Sequence, residues 1–161
     1  MHWRHRKVLF AASIALALLL SLVALPPVLA AFKPAWIALV LLFWVIETTD
    51  PVELGWVFCI GLLADLFNGS LLGEHALRLT VLVFIAMRFR ARLRFFPMWQ
   101  QTLAVLALLL NDRMLLLMVR AFAGEALPPL AWWYAPFAGA LLWPFVFLLL
   151  DDLRTRMRVR E

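Results

Sequence analysis

The sequence is poor in the residue types that carry most enzyme chemistry: one cysteine, three histidines and six glycines in 161 residues. Cys59 has no second thiol to pair with, so an internal disulfide is excluded, and its apolar surroundings say nothing of redox compartment. A zinc site needs several His or Cys ligands converging at set spacings, which His2, His5 and His75 do not offer. No glycine-rich phosphate loop is present. Asp65 stands alone on its apolar stretch, where a metal-dependent phosphotransferase needs several carboxylates at metal-binding spacing. Gly69-Ser70 followed by His75 has the residue types of a nucleophile and its base, but an intramembrane hydrolase needs that base on a different helix. The expectation is therefore no catalytic residue, no cofactor and no metal.

Charge is the second scarcity. Only 16% of residues are charged, and residues 8–32 contain none. Hydrophobic residues make up 66% of the chain, against roughly 45–50% in a soluble domain, and mean hydropathy is +0.94. They come in long uninterrupted runs, the pattern of membrane spans. The net charge of +5 does not point to nucleic acid. Its basic residues flank apolar runs in short clusters, with no soluble basic face to follow a phosphate backbone.

Six apolar spans can be read, over residues 8–25, 34–46, 54–67, 74–87, 98–119 and 131–150, in a single integral membrane domain over 1–161. Pro26-Pro27 stops the first, and Pro34 suits a first helical turn of the second. Residues 2–7 are basic, but the run that follows is longer than the about 7–15 residues of a secretory signal, so a retained first helix is expected. Spans two to four are short; fourteen helical residues cover about 21 Å of a core about 30 Å thick. The alternative is a re-entrant hairpin of spans two and three. Its tip would hold Glu47, Asp50 and Glu53 at depth, each costing roughly 2.5–3.5 kcal/mol, so full crossing is the less costly arrangement. Pro144 falls inside span six, where it removes a backbone bond and favours a kink.

Orientation follows from arginine. With the N-terminus inside, Arg4, Arg6, Lys7, then Arg88, Arg90, Arg92, Arg94, then Arg154, Arg156, Arg158, Arg160 all fall in the cytoplasm, eleven of fifteen cations. Only Lys33 and Arg120 flank the other face. The two later clusters are read as topology signals and attractors of anionic lipid. Trp132-Trp133-Tyr134 and Trp99 fall where amphipathic rings prefer to lie.

Charge within the spans is expensive and marks function or a partner. Glu74 and Arg78 are four apart, in the favourable order for a helix pair. Asn111-Asp112-Arg113 sits inside span five, with Asp112 about 20 Å along the axis from Trp99. Asp65, Glu74, Arg78, Asp112 and Arg113 all map to the outer half, as one polar cluster lining an outward recess. Three roles stay open: bracing the bundle, receiving a partner or ligand, and a transport path.

The stretch from Gly61 through Asp65 to Gly69-Ser70 and Gly73, ahead of an apolar helix, resembles the signature of the rod shape-determining protein MreD family. Lys33-Pro34-Ala35-Trp36, Trp99-Gln100-Gln101 and Leu142-Trp143-Pro144 fit the same family in order, although Lys33 stands where an arginine is usual. The resemblance implies a non-enzymatic component of the bacterial cell-elongation machinery in the inner membrane, needed for rod shape and lateral peptidoglycan synthesis. Its partners would be membrane lipid, a bitopic MreC, the MreB filament and the peptidoglycan polymerase/transpeptidase pair. It also implies an all-α bundle like the substrate-binding subunits of energy-coupling vitamin transporters; a small-molecule-binding transporter subunit is thus the rival function.

Overall fold

The computed structural model describes residues 2–48, 50 and 52–159. It is helical throughout its ordered elements: α1 (His2–Leu22), the single turn α2 (Pro27–Ala30), α3 (Trp36–Glu47), α4 (Leu54–Asn68), α5 (Glu74–Phe95), α6 (Met98–Phe122) and α7 (Tyr134–Val159), the last preceded by a 3-10 turn, Leu130–Trp133. Among the described residues three stretches are long and apolar enough to cross a membrane: Arg4–Leu22, Met98–Phe122 and Leu130–Val159. The shorter apolar α3 and α4 pack among them. This is an all-α membrane protein.

Helix α3 is apolar on every side, and a helix of that kind is a buried one. Every residue of α3 from Ile37 to Ile46 is buried. Around it α1, α4, α5, α6 and α7 touch in a closed ring, and α3 packs directly on α1, α5 and α7. The ring leaves its large apolar side chains outside, among them Leu19, Phe84, Leu141 and Phe145. In water that surface would be a liability; in lipid it is the solvated face. The two tryptophans of the core keep their N–H groups satisfied, Trp44 donating to Ser13 Oγ at 2.9 Å and Trp143 to Gln101 Oε1 at 3.1 Å. Gln101 in turn donates to the Leu93 carbonyl at 3.1 Å, so one amide ties α5, α6 and α7 together.

Helix α4 buries Val57, Ile60, Gly61, Ala64 and Asp65, the 3-and-4 spacing of one helical face, against α5. Gly61 makes the close approach possible: a Cβ there would stand 2.6 Å from the Ala76 backbone nitrogen. Small residues set how near two membrane helices come. The 69–73 connection turns on Gly69 and Gly73, at φ 63° and 97°, a region L side chains avoid.

Several helices outrun the apolar spans. Helix α5 continues through Arg88, Arg90, Arg92 and Arg94 to Phe95, and α7 carries Arg154, Arg156 and Arg158. Hydropathy marks where a helix leaves apolar surroundings, whereas arginine, a good helix former, lets it run on. Arg160 lies outside the described residues. Pro34 does not open α3: Ala35, at φ −80° and ψ 80°, precedes the first helical residue, Trp36. Helix α7 runs unbroken through Pro144.

The bundle has two distinct ends. At one, Arg6 pairs with Asp50, and Arg154 reaches Glu47 at 3.0 Å and Asp151 at 2.9 Å. The head of α1, Asp50 and the tails of α3 and α7 thus meet there. At the other, Phe32 stacks on Tyr134 with ring centroids 5.4 Å apart, and Lys33 donates to the Ser21 carbonyl.

Candidate functional site

At the end marked by Lys33 and Tyr134, the bundle holds a cavity of about 380 Å³. Helix α3 supplies Ile37, α5 supplies His75, Arg78 and Leu79, and α6 supplies Asp112, Arg113, Leu116 and Arg120. Lys33, Ser70 and Trp132 come from connections. Of the five charges expected in one outward cluster, Arg78, Asp112 and Arg113 line this cavity, while Asp65 and Glu74 are buried beside it.

Arg78 is the hub. Its Nε donates to Asp112 Oδ1 at 3.0 Å and its Nη2 to Asp112 Oδ2 at 2.5 Å, a bidentate pair between α5 and α6. Both side chains are buried. Glu74, one turn earlier, stands 3.7 Å from Nη1. A buried charge is tolerable only when paired, and here one guanidinium meets two carboxylates. Arg113 projects elsewhere: its guanidinium carbon lies 4.7 Å from the centre of the Trp132 ring, a cation–π contact. Arg120 faces Glu125 at 3.7 Å, and its Nε is buried without a hydrogen bond.

Asp65 takes a different set of partners. Its Oδ2 accepts the Gly73 backbone N–H at 2.8 Å. Its Oδ1 accepts the His75 backbone N–H and the Ser70 hydroxyl, each at 2.8 Å, and lies 2.8 Å from His75 Nδ1. The first N–H groups of a helix have no partner within it and carry a partial positive charge, so a carboxylate is favoured there. Asp65, near the C-terminal end of α4, is thus the cap of α5. Ser70 lies 3.2 Å from His75 Nδ1, the same ring nitrogen that faces Asp65. A nucleophile relay requires hydroxyl and acid on opposite ring nitrogens, so these three residues form a turn rather than a triad.

Sequence reasoning missed Lys33, Arg120, Ser70, His75 and Trp132 as cavity residues. Lys33 and Arg120 are isolated cations at span ends, where the flanking reading took precedence. Trp132 falls where an interface ring is expected, and that position gives no sign of the cavity. Each motif region of the sequence holds a contact between elements: Lys33 donates to the Ser21 carbonyl, Asp65 accepts from Gly73 in the α4–α5 turn, and Gln101 accepts from Trp143.

No solved structure matches the chain. A curated relative, the rod shape-determining protein MreD of Haemophilus influenzae, is 38% identical over 127 residues, covering 79% of this chain and 78% of the relative. The family model described as rod shape-determining protein MreD matches residues 4–153, nearly from end to end. The chain belongs to the MreD family of rod shape-determining proteins.

Proposed function

We propose that this chain is a multi-pass inner-membrane scaffold or regulator of the bacterial cell-elongation machinery, needed for lateral peptidoglycan synthesis and without catalysis of its own. The family match over residues 4–153 carries the reading. Its partners are a bitopic MreC, the MreB filament and the peptidoglycan polymerase/transpeptidase pair. Six spans cross with both termini in the cytoplasm, a topology supported by the arginines of α1, α5 and α7 and by the pairing of Arg6 with Asp50 and of Arg154 with Glu47 at the end of α3. The cavity then opens toward the opposite, outer face, and the polar residues Asp65, Glu74, Arg78, Asp112 and Arg113 brace the recess.

Depletion in a rod-shaped host should turn cylinders into spheres, and tagged chain should pull down wall-synthesis proteins. Cells that keep their shape without the protein would sink the reading. Reporter fusions after Arg94 and after Glu161 should both read as internal. Turnover of a wall precursor by purified protein would refute the non-catalytic part. A second reading, a small-molecule-binding membrane subunit of a transporter, has the cavity in its favour; tight co-purification of a vitamin-like ligand would support it.

A further inference from the structure

The cavity is lined by four cations that are not equally neutralised. Arg78 is matched by Asp112 and Glu74, and Arg120 faces Glu125. Lys33 reaches only the Ser21 carbonyl oxygen, and Arg113 rests against the Trp132 ring. Among the described residues neither makes an ion pair with a carboxylate. Arg113 is also within Coulombic reach of Arg78, Asp112 and Arg120; Asp112 is already held by the Arg78 fork, so cations outweigh the carboxylate on that wall. Like charges gathered in a low-dielectric recess repel unless an anion shares the space. Arg120 Nε stands 3.7 Å from Glu125 Oε2, beyond hydrogen-bond distance, and is buried without a hydrogen bond.

The geometry points to this cavity as a binding site for a phosphate-bearing anion, held by Lys33, Arg113 and Arg120, with Arg78 fixed behind them by Asp112. A carboxylate offers two oxygens in one plane, enough for a single guanidinium fork. Three cations, Lys33 from a connection and Arg113 and Arg120 two turns apart on α6, suit a tetrahedral group that presents three or more oxygens. The volume of about 380 Å³ lies within the range of small-ligand sites, roughly 300–1,000 Å³. Ile37, Leu79 and Leu116 make part of the wall apolar, so whatever the phosphate carries meets hydrocarbon there. A lipid headgroup and a free phosphorylated molecule present the same chemistry. The site does not depend on the scaffold reading: binding can fail while depletion still rounds the cells, and the converse.

The test uses the full chain, delipidated in neutral detergent. The probes are inorganic pyrophosphate, short-chain phosphatidylglycerol and, as an uncharged control, short-chain diacylglycerol. Phosphatidylglycerol, pyrophosphate or both should raise the thermal unfolding midpoint saturably, with an affinity that falls as salt is added. Pyrophosphate binding assigns a free phosphate as sufficient; binding of phosphatidylglycerol alone assigns a lipid headgroup. The Lys33→Gln/Arg113→Gln double variant should bind at least about tenfold more weakly, the loss expected from removing charge-assisted contacts. Should the double variant fail to fold, Lys33→Gln alone gives the reading, because Lys33 lies in a connection outside the helices. The proposal is overturned if neither charged probe shifts the midpoint, if diacylglycerol acts as well as phosphatidylglycerol, or if the folded variant binds like the native chain.

Discussion

Asp65 and Arg113 pose the same problem, a charge on an apolar helix, and the bundle treats them in opposite ways. Asp65 is 1% exposed and receives two backbone N–H groups, a hydroxyl and an imidazole nitrogen. Its acceptor capacity is filled from within, so it has nothing left to offer a ligand. Arg113 has five donors and meets an aromatic face. Between these extremes stands the Arg78–Asp112 pair, internally matched yet open to the cavity on one side. A filled set of bonds marks architecture; a surplus of donors marks capacity to bind.

The internally matched pair at Arg78 is the most costly to disturb. Asp112→Ala leaves that guanidinium buried with only Glu74 at 3.7 Å, and a buried pair broken from one side costs roughly 3–5 kcal/mol. Thermal or denaturant unfolding in detergent should show the largest drop here. The double change Arg78→Met with Asp112→Leu should recover most of it, because it removes both charges together. If the double variant is as unstable as Asp112→Ala, the pair is not the source of the loss.

Asp65→Ala comes next, at about 2–3 kcal/mol, from the loss of a helix cap and of charge-assisted bonds. Asp65→Asn sharpens the point. Its carbonyl can still serve the Ser70 and His75 side, but its amide then points a donor at the Gly73 N–H. The loss should be about half that of alanine, read from the same unfolding curves. Equal losses would show that the bonds on the Ser70 and His75 side contribute little beyond the Gly73 bond.

Gly61→Ala disturbs the same helix pair without touching a carboxylate. The added Cβ meets the Ala76 backbone, which cannot swing aside as a side chain can, and overpacking of this kind costs roughly 1–3 kcal/mol. Amide exchange should rise in the first turn of α5, since separating the helices loosens the Asp65 bonds. Unchanged protection there would show that the cap does not depend on helix contact.

The sequence made some of this legible and hid the rest for physical reasons. Apolar runs locate α1, α3, α4, α6 and α7, and the spacing of Glu74 and Arg78 reveals a pair on one helix. The Arg78–Asp112 bond has no such signal, because a contact 34 residues apart depends on how two helices rotate against each other. Asp65 looked like one more intramembrane charge, yet its place just before a Gly-Ser…Gly turn is where a carboxylate can reach the next helix start. Charge counting places Lys33 and Arg120 at a membrane face and no further. Counting gives the side on which a charge stays, not whether its side chain turns inward.

Arg113→Gln should change stability least, by about 0.5 kcal/mol or less, and this small effect tests the comparison most sharply. The substitution removes a cation–π contact worth about 0.5–1 kcal/mol at exposed sites. It also removes a net repulsion, that of Arg78 and Arg120 less the attraction of Asp112, which acts in the opposite sense. The two nearly cancel in the empty cavity. They no longer cancel when an anion is bound, because repulsion among the cations is then already relieved and the guanidinium contributes attraction. Unfolding should therefore look native without a phosphate probe, while the stabilisation that the probe gives the native chain should be largely missing. A large loss of stability in the absence of any probe would mean that Arg113, like Asp65, is part of the architecture, and the contrast between them would fall.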